Sequence, residues 1–170
     1  EAADWLTEMS QRLGKRIPDR ESRLEFLRAV HYEATRAGLA PQLGLGRLHP
    51  NKGWADLLRA FALLPDRLDG QALRLLMVGD GPLRTELEQL AAALGIAARV
   101  RWAGWQNDPA PWYQLADVFV CASIHEPLGN VILEAWANRA PLVSTRAQGP
   151  LELIRDGETG LLAAMGDPAD

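Results

Sequence analysis

The residues best suited to chemistry are two glutamates, Glu126 and Glu134, in the stretch Ser123-Ile-His-Glu-Pro-Leu-Gly-Asn-Val-Ile-Leu-Glu-Ala-Trp-Ala137. Glu134 sits among Val131, Ile132, Leu133, Ala135, Trp136 and Ala137, with no polar face around it. A carboxylate in such surroundings is costly to bury unless a donor reaches it, and a ligand hydroxyl is such a donor. Glu126 precedes Pro127, which biases it to an extended conformation, and Gly129-Asn130 reads as a helix start with Asn130 as N-cap. The first free N–H groups of that helix point into the loop, where the helix dipole favours an anion.

Two cations form a second group. Arg47 is expected at the end of a strand and Lys52 in the first turn of the following helix, so both can face a pyrophosphate together with the helix N-terminus. The blander alternatives are a surface ion pair for Arg47 and a solvated Lys52. For the acids they are a loop carboxylate at Glu126 and a helix-start residue at Glu134 favoured by the dipole. Cys121 and His125 lack a third group to orient them as nucleophile and base. The histidines at 31, 49 and 125 show no metal-ligand spacing.

These residues need a scaffold, and the chain supplies alternating strand and helix patterns. Strands are expected at Gln42–Leu48, Leu73–Val78, Arg99–Ala103, Asp117–Cys121, Pro141–Ser144 and around Leu161. Gln42–Leu48 is a poor strand by propensity, since it carries Gly44 and Gly46. Helices are expected from Asn51 to Pro65, from the Gly79-Asp-Gly-Pro turn to Leu94, at Pro109–Leu115, at Asn130–Asn138 and at Pro150–Arg155. Residues 1–40 read as a helical lead-in, with stripes at Ala2–Leu13 and from Asp19 to Gly38, and residues 41–170 as the α/β domain. Such alternation predicts a Rossmann-like parallel sheet with helices on both faces, preceded by N-terminal helices. Ligands in such sheets sit beyond the carboxyl ends of the strands, the edge that all the loops above share.

Composition narrows the partners. The 170 residues carry a net charge of −4 with 18 scattered lysines and arginines, which argues against a nucleic-acid-binding face. No run of apolar residues is long enough for a transmembrane segment, and the single cysteine excludes an internal disulfide. The turn Gly79-Asp-Gly-Pro-Leu-Arg84 lacks the third glycine of a dinucleotide fingerprint and no P-loop pattern occurs, so that turn reads as architectural. A start at Glu1 and a stop just after a strand-like run read as a slice of a longer protein.

Taken together, Ser123–Ala137 resembles the E-x7-E signature of the group 1 (family 4) retaining glycosyltransferases, which have the two-domain GT-B fold. The resemblance extends from about Gly46 to the C-terminus. It includes Gly46-Arg-Leu-His-Pro-Asn-Lys-Gly53, Val78-Gly-Asp-Gly-Pro82 and Asp156-Gly-Glu-Thr-Gly-Leu-Leu162 in the family's order. It implies the nucleotide-sugar-binding C-terminal half of a GT-B enzyme, with the acceptor, a glycan or lipid-linked sugar, held by an N-terminal domain. By the same resemblance Glu126 contacts hydroxyls of the transferred sugar and Glu134 binds the ribose. The backbone of Leu128, Gly129, Asn130 and Val131 holds the donor phosphate and sugar, and Gly104, Trp105 and Gln106 hold the base. Arg47 and Lys52 stabilise the diphosphate leaving group, with no bound metal and no cofactor. The single cysteine fits a reducing cytoplasm, with work of the full-length enzyme at the inner membrane face left open. Gln148 departs from the glycine pair of many relatives. A sugar-nucleotide epimerase, a sugar phosphorylase or a non-catalytic α/β binding module are the alternatives.

Overall fold

The computed structural model describes residues 39–170, so both expected N-terminal helices lie outside the described residues. Seven strands and five α-helices follow one another: β1 (Leu39–Leu45), α1 (Trp54–Leu63), β2 (Arg67–Leu68), β3 (Gln71–Val78), α2 (Arg84–Ala93), β4 (Val100–Gly104), α3 (Ala110–Leu115), β5 (Val118–Cys121), α4 (Asn130–Ala137), β6 (Leu142–Thr145), α5 (Gln148–Leu153) and β7 (Leu161–Ala163). Apart from β2, every pairing is parallel, and the order across the sheet is β4-β3-β1-β5-β6-β7. The chain builds outward from β1 to β3 and β4, then returns to lay β5 against the other side of β1. That reversal leaves a crevice between the carboxyl ends of β1 and β5, the topological switch point of a doubly wound sheet.

β1 forms despite its glycines because Gly44 is where α1 comes closest. A Cβ there would lie 2.7 Å from the Trp54 ring and 2.9 Å from Leu57. A bare backbone therefore lets the helix pack on the strand, and burial between two parallel neighbours outweighs propensity. The short β2 was not expected from the sequence. It pairs antiparallel with the start of β3 through a two-residue turn, Asp69-Gly70, whose φ values are 50° and 81°. Two positive φ angles are what a tight hairpin of this kind requires, and Asp-Gly supplies them.

Alternation along β3 divides the core. Leu73, Leu75 and Met77 join Leu57, Leu58 and Phe61 of α1 and Leu87 and Ala91 of α2 on one face. Val78 faces the other side with Leu43, Phe119, Tyr113 of α3, and Ile132 and Ala135 of α4. Full burial of each Leu, Ile or Phe contributes roughly 1.5–3 kcal/mol. Arg99 is the buried cation of the first face. Its guanidinium donates to the carbonyls of Leu64 (3.2 Å) and Pro65 (2.8 Å) and lies over the Phe61 ring, closing the C-terminal end of α1.

Candidate functional site

The loop after β1 is held by the turn after β3. The Gly46 N–H donates to the Val78 carbonyl (2.9 Å) and the Leu48 N–H to the Asp80 carbonyl (3.0 Å). A Cβ on Gly79 would fall 1.9 Å from the Gly46 carbonyl oxygen, and one on Gly81 would fall 2.5 Å from that of Leu48. The Gly-Asp-Gly-Pro turn is thus a backing for the β1 loop, in keeping with its architectural reading.

From there the chain makes a 3-10 turn at Pro50–Lys52 and reaches Gly53, whose φ is 62°. A Cβ on Gly53 would lie 1.9 Å from the Ala122 carbonyl oxygen, so only glycine permits this approach to the end of β5. The Asn51 carbonyl accepts from the Ile124 (2.8 Å) and His125 (3.1 Å) N–H groups, which stitches the two strand-end loops together. From β6, the Thr145 hydroxyl donates to the Ser123 carbonyl at 2.5 Å. The Gly149 N–H of α5 donates to the Glu126 carbonyl at 2.7 Å.

Lys52 and Glu126 meet at this seam. The ammonium lies 2.5 Å from Oε2 of Glu126, and the Ser123 hydroxyl donates to the same oxygen at 3.2 Å. Glu126 is buried, with 8% of its surface accessible, whereas the Lys52 side chain keeps 26%. A buried carboxylate is costly unless paired and hydrogen-bonded, and here it is both. Beside Lys52 is a small cavity lined also by Leu45, Trp54, Cys121, Ser123 and Val131, among others. Lys52 belongs to the 3-10 turn, not to α1 as expected, because Gly53 in the left-handed region interrupts the two.

Arg47 is exposed and lies two residues beyond the end of β1, so it is a loop residue and not the strand-end residue expected. The loop is fixed from below, where the Trp54 indole N–H donates to the Arg47 carbonyl at 3.0 Å. Its guanidinium forms no ion pair with another described residue and is free to meet an anion.

At the start of α4 the N-cap is Gly129, with φ 70°, and not Asn130. That position suits glycine, since its φ is positive and a Cβ there would crowd Leu153 of α5 at 2.9 Å. No side chain caps the helix, so the N–H groups of Asn130 and Val131 remain for a ligand or solvent. Leu128 is exposed beside them. Gly149 has no room for a side chain. Its Cβ would lie 2.6 Å from the Glu126 carbonyl oxygen and 3.0 Å from the Gly129 nitrogen, so it serves approach to the loop itself.

Glu134 differs from expectation. α4 buries Ile132 and Ala135, and Glu134 lies on its exposed side with Leu133, so no burial penalty demands a ligand. Its partner is Tyr113 of α3, whose hydroxyl donates to Oε2 of Glu134 at 3.1 Å. Sequence reasoning missed Tyr113. The available signal was a tyrosine on the inner face of a short helix, since a buried phenol seeks a hydrogen-bond partner.

Trp105 stands at the carboxyl end of β4 with 68% of its surface open. Gly104 before it has φ 68°, and its carbonyl accepts from the Gly79 N–H at 2.8 Å. The Gln106 amide turns back to the Ala103 carbonyl at 2.8 Å. Trp105 shares the carboxyl edge with the Lys52–Glu126 pair but is two strands from β1, on the order of 10 Å at about 4.8 Å per strand. Asp156, in the Asp-Gly-Glu-Thr-Gly motif, is structural. It accepts from the Leu162 N–H and the Arg146 guanidinium, and these hold its carboxyl below the usual range. Among the described residues no helix is long and apolar enough to cross a membrane, and no cluster of three or more histidine, cysteine, aspartate or glutamate side chains is suited to a metal.

Comparison with known proteins places the chain in a family. The family model of the group 1 glycosyl transferases matches residues 43–170. The chain is 48% identical over 125 residues to a lipopolysaccharide core biosynthesis glycosyltransferase, LpsE, of Rhizobium meliloti, covering 74% of this chain and 35% of that protein. A second Rhizobium meliloti enzyme of the same description, LpsD, is 39% identical over 125 residues, again 74% of this chain and 35% of the relative. The chain therefore spans about a third of the length of these curated relatives. Among solved structures, Anabaena HepE in complex with UDP superposes with a TM-score of 0.72 at 27% identity, covering 85% of this chain and 40% of HepE. On the strength of the matched family model and these relatives, the chain belongs to the group 1 glycosyl transferases.

Proposed function

We propose that this chain is the donor-binding half of an enzyme that transfers a hexose from a nucleoside diphosphate sugar to an acceptor hydroxyl with retention of anomeric configuration. The observation that carries the proposal is the Lys52–Glu126 pair at the switch point of the sheet, with Val131 of the uncapped start of α4 lining the same small cavity as Lys52. HepE has been solved with UDP and with UDP-glucose, which supports UDP-glucose as the first donor to test. The lipopolysaccharide role of LpsE supports a glycan or lipid-linked sugar as acceptor, held outside this chain, and work at the inner membrane face.

The chemical task of this half is stabilising the leaving group. As the bond from the anomeric carbon to phosphate breaks, negative charge grows on the diphosphate. Lys52, Arg47 and the N–H groups of Asn130 and Val131 are fixed or tethered donors that answer that charge, and no cofactor is needed. In the empty site Lys52 neutralises Glu126. A bound diphosphate draws the ammonium toward itself and leaves the Glu126 carboxylate free to accept from hydroxyls of the transferred sugar. Glu134 holds the ribose, and Gly104-Trp105 meets the base.

The test is the reaction of the intact enzyme with UDP-glucose and a glycan acceptor, followed by NMR of the product linkage. The proposal predicts an α-linked product from the α-linked donor, undiminished by a chelator. A β-linked product contradicts retention. An altered UDP-sugar released without acceptor, a reaction that needs inorganic phosphate, or binding without turnover would contradict glycosyl transfer.

A further inference from the structure

We propose that Tyr113 positions Glu134 for the hydroxyls of a ribose, an inference that rests on the donor-site reading above. A glutamate on an exposed helix face has several rotamers open to it, and ordering such a side chain on binding costs affinity. Tyr113 removes part of that freedom in advance. Its ring is 1% exposed and packs edge-on against Phe119 at 5.1 Å between centroids, so the phenol is anchored in the core under α4. Its hydroxyl lies 3.1 Å from Oε2 of Glu134 and 3.3 Å from the Val131 carbonyl, within reach of both with its single proton. Burial, and after it the Glu134 charge, push the Tyr113 phenol well above its ordinary pKa, so it stays a donor throughout the working pH range.

The consequence is a division of labour between the two carboxylate oxygens. Oε2 is held by the tyrosine, while Oε1 takes no hydrogen bond among the described residues. On an exposed face, a carboxylate fixed in this way presents one oxygen to an incoming donor, and neighbouring hydroxyls of a ribose are the class of donor that suits it. Tyr113 does not touch the ligand and acts only through Glu134. If it were merely a core filler, loss of its hydroxyl would leave the recognition of ribose unchanged.

Tyr113→Phe separates the two roles because it keeps the ring and removes only the hydroxyl. Calorimetric titrations of the full chain with UDP, 2′,3′-dideoxy-UDP and inorganic pyrophosphate read the effect. The wild type should prefer UDP over the dideoxy compound by about tenfold or more, the worth of one hydrogen bond to a charged group. Tyr113→Phe should narrow that preference by a factor of about three or more while leaving pyrophosphate affinity unchanged. An unchanged preference in Tyr113→Phe overturns the proposal, as does an equal loss for all three probes, which marks general damage. A wild type that binds UDP and dideoxy-UDP equally sinks the ribose role of Glu134 and this inference with it, whereas pyrophosphate binding still reports on Lys52 and Arg47.

Discussion

Removing the Lys52 charge should cost more stability than removing the Glu126 charge, although both break one ion pair. In Lys52→Met the stem stays packed, but Glu126 is left buried without its cation, retaining only the Ser123 hydroxyl. Losing one partner of a fully buried pair costs roughly 3–5 kcal/mol, and an exposed pair is worth about 0–1. With side-chain exposures of 26% for Lys52 and 11% for Glu126, the pair lies between these limits. We expect about 2 kcal/mol for Lys52→Met, which at about 3 °C per kcal/mol in a chain of this size lowers Tm by about 6 °C. Glu126→Gln should cost about 1 kcal/mol or less, since Lys52 can reach water and the amide can still accept from Ser123. The double variant should be less damaged than the sum of the two, with a coupling of roughly 1 kcal/mol. Urea melts of the four proteins give the cycle directly. UDP affinity in the same proteins should fall with Lys52→Met and stay low in the double variant. Additive costs, or a Glu126→Gln change as damaging as Lys52→Met, would refute the view of Glu126 as a carboxylate held in place by Lys52.

Two other perturbations probe the frame around the site. Burial pushes the Asp117 carboxyl up to about 7 from an ordinary 3.8, and its Oδ2 is buried without a partner. The folded state therefore keeps a proton that the unfolded chain gives up. This contribution to stability is full below about pH 4 and is lost as pH rises through about 7. Asp117→Asn should stabilise the protein at pH 8, on the order of 1 kcal/mol after allowing for partial solvent screening, and not at pH 4. An equal gain at both pH values in thermal melts would count against burial as the cause. Gly53→Ala places a Cβ 1.9 Å from the Ala122 carbonyl at a φ of 62°, so it should cost about 3 kcal/mol or more and weaken UDP binding as well. A variant that melts like wild type would show that the two strand-end loops need no such close approach.

The sequence made the order of elements legible because each stretch carried its own period and punctuation. The strands β3 to β7 and the helices between them lie within a few residues of their expected bounds. What escaped it were features decided by contacts across the fold. Gly44 weakens β1 locally yet is required by Trp54, far along the chain, and the Asp69-Gly70 hairpin was overlooked between a helix stop and a strand. Lys52 and Glu126 were each singled out, but nothing local showed that they bond to each other. Glu134 misled for the opposite reason. Its apolar neighbours in sequence, Ile132 and Ala135, turn inward on a helix while it turns outward, so local composition suggested burial where geometry gives exposure.

If a nucleoside diphosphate binds beside Lys52, Glu126 and the start of α4, amide chemical-shift perturbation by UDP will report it at those residues. UDP should move the backbone amides of Lys52 and of Leu128 to Val131, Arg47→Ala and Lys52→Ala should weaken these shifts most at low salt, and a chelator should change nothing. Saturating UDP that leaves all of these amides unmoved, or moves only amides at the opposite edge of the sheet, would contradict binding there.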